Sequence, residues 1–135
     1  MSAKKILVVD DDRDQQVGLR VRLMASGYQV TSAFDAIQAV NVARSDTPDL
    51  ILLDIGLPGG DGHKVFGRLR NLGPTSLIPV IVLSAKDPAA HRDRMLREGA
   101  HAYFQKPADN AMLLEAIGKA LGIHESPPLT AVGGS

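Results

Sequence analysis

Several polar residues of this chain stand where apolar runs end. Asp10, Asp11 and Asp12 close the run ILVV, Asp54 closes LILL, Ser84 closes VIVL, and Lys106-Pro107 follows the run that ends in Tyr103-Phe104. An ionised carboxylate at the end of a buried segment costs several kcal/mol unless something shares its charge. Asp54, set in LILLDIGLPGGDG, therefore needs a compensating partner. Clustered carboxylate oxygens suit a hard cation, Mg2+ or Mn2+, better than zinc, since the chain has no cysteine and no helical histidine pair. Mg2+ holds few protein ligands and is usually shared with a phosphate. Lys106 and Ser84 would give phosphoryl oxygens one charge and one donor. An Asp carboxylate can itself accept a phosphoryl group as an acyl phosphate. The chemistry that uses the whole set is metal-assisted phosphoryl transfer onto Asp54. Each residue taken singly has a plainer reading. Asp12 suits a helix N-cap, Ser84 a loop and Lys106 a solvated surface, and only their joint placement argues for more.

That placement depends on the elements beneath it. Apolar runs predict strands at Ile6–Val9, Gln29–Ser32, Leu50–Leu53, Val80–Leu83 and Ala102–Phe104. Amphipathic stretches predict helices at Asp12–Ser26, Asp35–Arg44, Gly62–Asn71, Pro88–Glu98 and Ala108–Leu121. Runs such as ILVV and VIVL are continuously apolar, as in strands covered on both faces. Strands alternating with helices read as a parallel sheet of βαβ units. In such a sheet, ligands bind beyond the carboxyl ends of the strands, which is where the polar set falls. Gly27, Pro48 and Gly99 punctuate the pattern. From Gly122 it fades into a Pro-, Gly- and Ser-rich stretch, giving a domain over 1–121 and a flexible tail or linker stub over 122–135.

Composition narrows the partners. The 15 Lys and Arg balance the 15 Asp and Glu, so no broad basic field draws nucleic acid or an anionic membrane. No apolar run approaches the ~20 residues of a membrane span, and MSAKKILVVDDD has no signal-peptide pattern. The absence of cysteine agrees with a reducing compartment, and the expected location is the cytoplasm.

From Lys4 to Leu121 the chain resembles the receiver domains of two-component response regulators, of the CheY-like kind. VVDDD matches the acidic pair at Asp10 and Asp11, and LLDIGLPGGDG the acceptor strand and loop, with Pro58 and Gly62 in place. VIVLSAK matches the switch hydroxyl at Ser84, and YFQKP the lysine, Lys106, with its proline. Separations of 43, 30 and 22 residues connect Asp11, Asp54, Ser84 and Lys106. The resemblance implies a flavodoxin-like (βα)5 doubly wound parallel sheet with strand order 2-1-3-4-5. It implies that Asp54 takes a phosphoryl group from a sensor histidine kinase or a histidine phosphotransfer protein and then switches contacts with a downstream protein target. Asp11, Asp54 and the Gly56 carbonyl would ligate Mg2+, with Mn2+ as a substitute and Asp10 acting through water. Lys106 would contact the phosphoryl group, and its peptide bond to Pro107 would be cis. On phosphorylation Ser84 would move toward a phosphoryl oxygen and Tyr103 would turn inward. The domain would promote only its own phosphorylation and dephosphorylation, with no other enzymatic activity.

Other features bear on this reading. Gly56 offers no side chain to shield or attack an acyl phosphate. It also stands where an aspartyl-phosphate phosphatase needs an acidic general acid, which argues against that enzyme class. The acidic DDDRD loop would repel the phosphate of a flavin. A receiver fold used only as a protein-binding module remains as an alternative, and the complete acidic, hydroxyl and lysine set counts against it. Lys86 either reaches the phosphoryl group or is solvated. His63, His91, His101 and His124 show no ligand spacing and read as surface residues. On the first helix Leu19 and Leu23 form a core stripe, while Val17, Val21 and Met24 form a second one. The helix either rolls to bury both stripes or leaves the second exposed beside the acidic site.

Overall fold

The computed structural model describes residues 3–58 and 61–123. Strands β1 (Lys5–Val9), β2 (Gln29–Ala33), β3 (Leu50–Leu53), β4 (Val80–Ser84) and β5 (Ala102–Gln105) pair in parallel, in the order β2-β1-β3-β4-β5. This is the flavodoxin-like order. The helices are α1 (Arg13–Ala25), α2 (Ala36–Asp46), α3 (Asp61–Asn71), α4 (Pro88–Arg97) and α5 (Asn110–Ala120), with a short 3-10 turn at Gly73–Thr75. None of the described helices is long and apolar enough to cross a membrane.

Successive strand side chains point to opposite faces, and both faces here are covered. Leu7, Val9, Ile51, Leu53, Val80 and Val82 pack in one layer with residues of α2, α3 and α4. Ile6, Val8, Leu50, Leu52, Ile81 and Leu83 pack in the other with residues of α1 and α5. Double coverage is the reason the strands carry unbroken apolar runs.

Aspartates set the helix starts. Asp12, Asp35, Asp87 and Asp109 each accept a hydrogen bond from a first-turn amide of α1, α2, α4 and α5 respectively. Such a cap is worth about 1 kcal/mol. The cap at Asp109 starts α5 two residues later than periodicity alone suggests. At its other end α5 is closed by the Gly122 and Ile123 amides, which donate to Lys119 and Gly118 carbonyls. Those two residues therefore belong to the helix end, and 124–135, the rest of the expected tail, lie outside the described residues. Helix α2 runs on to Asp46, whose carboxylate meets the Lys5 ammonium at 2.8 Å.

Two local devices hold the ends of the sheet. Arg70 stacks on Phe66 at 4.9 Å and donates to the carbonyls of Ser76, Ile78 and Gly99, joining α3 to the entrances of β4 and β5. At the other end, Gly62 lets α3 start against the loop that follows Asp54. A Cβ on Gly62 would lie 2.2 Å from Ile55 Cα, a backbone atom with no room to yield. Gly62→Ala should therefore cost about 3 kcal/mol, as overpacking against a rigid wall does. Chemical denaturation that finds the variant within 1 kcal/mol of the parent (an order-of-magnitude threshold) would contradict this contact.

Candidate functional site

The strand register brings the polar set together. Val9 lies abreast of both Ala33 and Leu53. The ladder then continues one residue further: the Asp10 amide donates to the Ala33 carbonyl at 3.1 Å, and the Asp54 amide to the Val9 carbonyl at 3.0 Å. Asp10 and Asp54 thus leave neighbouring strands at the same level. On the other side Ser84 pairs with Gln105, and the Lys106 amide donates to the Ser84 carbonyl at 2.8 Å. The Lys106–Pro107 peptide is cis.

Within this rim Asp10, Asp11 and Asp54 each offer a carboxylate oxygen within 4.8 Å of the others. Asp10 and Asp54 are nearly buried and Asp11 is exposed. The Lys106 ammonium lies 2.5 Å from Asp10 Oδ2 and 3.3 Å from Asp54 Oδ2. The second Asp10 oxygen accepts the Asp12 amide at 2.9 Å, and Asp54 Oδ1 accepts the Gly56 amide at 2.7 Å. Burial pushes the Asp10 carboxyl above the usual range, against the opposing pull of its Lys106 and Asp12 hydrogen bonds. Burial acts against the Lys106 ammonium as well, but the Asp10 hydrogen bond and the charges of Asp54 and Asp10 outweigh it and raise its pKa. The lysine stays protonated and holds the acids together. Three oxygen donors, one of them solvent-facing, fit a small hard cation.

Gly56 and Ser84 border the acids. A Cβ at Gly56 would stand 3.0 Å from Asp54 Oδ1 and 3.7 Å from both Ser84 Oγ and Lys86 Cε. The gap left by this glycine is thus the space between the Asp54 carboxylate, the Ser84 hydroxyl and the Lys86 stem. Ser84 is fully buried, and its hydroxyl accepts the Lys86 amide at 3.2 Å. Lys86 is exposed, with its stem near Gly56. Tyr103 is buried, and its hydroxyl donates to the Lys86 carbonyl at 2.8 Å. Burial and the charges of Asp54 and Asp87 raise the Tyr103 pKa, against a hydrogen bond with Ser84. The ring is therefore turned inward, where the Lys86 carbonyl accepts from its hydroxyl.

Other expectations divide. Asp12 caps α1, accepting the Asp14 and Gln15 amides. Of the α1 stripes, Leu19 and Leu23 are buried, while Val17, Val21 and Met24 are 63%, 62% and 52% exposed. The helix does not roll to bury both. His101 is exposed as expected, and His124 lies outside the described residues. His63 departs from the surface reading. Its ring lies 5.4 Å from that of His91 and its Nδ1 is buried, because α3 and α4 approach there. Burial, then the nearby Arg94 and His91, lower the His63 pKa. Gln16 is buried too, and spacing arguments passed over it because a polar residue broke the apolar stripe.

The sequence matches the response regulator receiver domain family over residues 6–118. The chain belongs to this family. This receiver is 39% identical over 117 residues to the response regulator PleD of Caulobacter vibrioides, covering 87% of this chain and 26% of that protein. It is 41% identical over 103 residues to the response regulator MprA of Mycobacterium tuberculosis, covering 76% of this chain and 44% of that protein. The chain thus spans less than half the length of these relatives. Among solved structures it resembles a CheY-like receiver domain protein from Methanospirillum hungatei (TM-score 0.81, 30% identity, 90% and 95% of the two chains). It also resembles the receiver domain of the sensor histidine kinase PA1611 from Pseudomonas aeruginosa, which carries a magnesium ion in its active-site cleft (TM-score 0.79, 32% identity, 90% and 99%). Receiver domains are phosphoacceptor modules of two-component signalling that bind Mg2+ at an acidic site, and this receiver has such an acidic cluster.

A prediction follows from the exposed acid. Without metal, Asp11 adds a like charge to the pair that Lys106 already serves, and nearby like charges oppose one another. In chelator, Asp11→Asn should be about 1 kcal/mol more stable than the parent. In excess Mg2+ the order should reverse, since ligand binding stabilises only the form that binds. Thermal melts that keep the same order under both conditions would refute this.

Proposed function

We propose that Asp54 of this receiver is the phosphoacceptor, taking a phosphoryl group from a phosphohistidine on a sensor histidine kinase or a histidine phosphotransfer protein. A carboxylate oxygen of Asp54 attacks the phosphorus. The P–N bond breaks, its electron pair leaves with the imidazole, and an acyl phosphate forms. Asp10, Asp11, Asp54 and the Gly56 carbonyl would hold Mg2+, or Mn2+ in its place, which would draw charge from the phosphoryl oxygens. Lys106 would keep its ammonium on the acceptor side and pass it from carboxylate to phosphoryl oxygen as the negative charge moves outward. The Ser84 hydroxyl would donate to a second phosphoryl oxygen, giving up its bond with the Lys86 amide. Tyr103, whose hydroxyl holds the Lys86 carbonyl, would keep the loop after β4 in the form that this shift favours. The observation that carries the reading is the Lys106 ammonium, shared by the carboxylates of Asp10 and Asp54 at the ends of adjacent strands.

The site's products would be signals rather than released chemicals. The domain would promote its own phosphorylation and dephosphorylation and alter contacts with a downstream protein target. A cytoplasmic location fits a chain without cysteine, and the receiver expected over residues 1–121 would extend through the α5 cap to Ile123, with 124–135 as a tail or linker. The exposed Val17, Val21 and Met24 stripe beside the acids would receive the phosphohistidine-bearing partner, as contiguous exposed apolar residues suit a helical partner.

Acetyl phosphate with Mg2+ should add one hydroxylamine-labile phosphoryl group to the parent and none to Asp54→Asn. Stable labelling of that variant would show that the acceptor is another residue. The docking stripe has its own test. Val17→Lys or Val21→Lys should slow transfer from the cognate phosphohistidine protein at least about tenfold, the effect of a lost interface anchor. Labelling by acetyl phosphate should be unchanged. If the two routes weaken together, the stripe serves the fold rather than the partner.

A further inference from the structure

Gln16 occupies a core position. With Leu19 and Leu23 it forms the face of α1 that packs on the sheet, and it is 4% exposed. A leucine there would bury more apolar surface, and a buried amide is costly unless it is bonded. The two N–H groups of the Gln16 amide reach three carbonyls, those of Val8 at 3.0 Å, Asp10 at 3.1 Å and Ala33 at 3.0 Å, so one N–H is shared between two of them. Among the described residues the buried amide oxygen has no hydrogen-bond partner. Three carbonyls cannot face an oxygen, so the position uses the donating end of the amide and sacrifices the accepting end.

The three carbonyls share a location. Val8 and Ala33 belong to the ends of β1 and β2, and Asp10 is the first residue past β1. The Ala33 carbonyl also takes the Asp10 amide. Gln16 therefore holds the backbone of Asp10 on its carbonyl side, while Ala33 holds it on its amide side. The Asp10 carboxylate is in turn oriented by the Asp12 amide and the Lys106 ammonium.

We infer that Gln16 is a positioning residue. It fixes the backbone from which Asp10 and Asp11 project, so that the carboxylates meet a divalent cation without first being ordered. The inference rests on the cation reading of Asp10 and Asp11 given above. The requirement is for N–H donation at this point, which an apolar side chain of equal size cannot meet.

The test compares Gln16→Met with Gln16→Arg in the full chain. Methionine is unbranched and of similar length but has no N–H, whereas arginine is a pure donor with several N–H groups. Mg2+ titrations followed by amide NMR should give Gln16→Met about tenfold weaker affinity, the usual effect of losing a partner behind a metal ligand. Gln16→Arg should stay near the parent. In chelator, amide exchange at Asp10 and Asp12 should quicken in Gln16→Met alone, with Leu52 in β3 unchanged. Parental Mg2+ affinity and exchange in Gln16→Met would overturn the inference. So would equal weakening in both variants, which would make shape, not donation, the requirement. If Gln16→Met does not fold, Gln16→Arg decides by whether it keeps parental affinity. If the parent itself shows no Mg2+ binding, the cation reading fails, and exchange at Asp10 and Asp12 alone judges Gln16.

Discussion

The ammonium of Lys106 is the interaction on which the site depends. Asp10 and Asp54 leave adjacent strands at one level, and without a counter-charge two nearly buried carboxylates would repel across a space with little water. Lys106 reaches them from the end of β5. Between β5 and β3 stands β4, which ends in Ser84. Ser84 is fully buried there, and its carbonyl accepts the Lys106 amide. The strand order matters for the same reason, because only a sheet that sets β1 beside β3 puts two acid-terminated strands in contact.

This arrangement explains features that are costly in isolation. Asp10 is held in a setting that raises its pKa, and its compensation comes from a lysine whose own burial is offset by the same acids. Neither partner would be stable there alone. The opening at Gly56 adds to this, since a side chain would crowd Asp54 and close the space in front of Ser84. Charge balance and open space together are what the proposed phosphoryl site would need.

Much of this was legible in the sequence, for a physical reason. Buried parallel strands must be apolar throughout, so Asp54 at the end of LILL and Asp10 at the end of ILVV were conspicuous, and a βαβ sheet sends such ends to one edge. The parallel sheet and the grouping of acids, hydroxyl and lysine at its edge follow from that, whereas the strand order was implied only by the resemblance to receiver domains. What pattern could not show were contacts between side chain and backbone. Gln16 and Arg70 each reach three carbonyls in two segments, and nothing in hydrophobic periodicity encodes which carbonyls a side chain will meet. His63 was missed likewise, because its burial depends on the approach of α4, not on its neighbours in α3. Tyr103 was singled out through the resemblance to receiver domains, but its inward placement depends on the Lys86 carbonyl, a main-chain acceptor without a side-chain signature.

Helix α1 ties these observations together. Its inner face holds only Gln16, Leu19 and Leu23, a stripe too narrow to draw Val17 and Val21 into the core. Keeping a polar residue on that face limits how far the helix can roll, because rolling would tear the Gln16 amide from three carbonyls at a cost of roughly 1–3 kcal/mol for the groups left unpaired. The outer apolar stripe thus stays exposed because the inner face is pinned. Gln16 and Val17 are consecutive residues, one bonded to the backbone of Asp10 and the other exposed. One short helix therefore sets the acids in place and presents the surface beside them, and neither task can shift without the other.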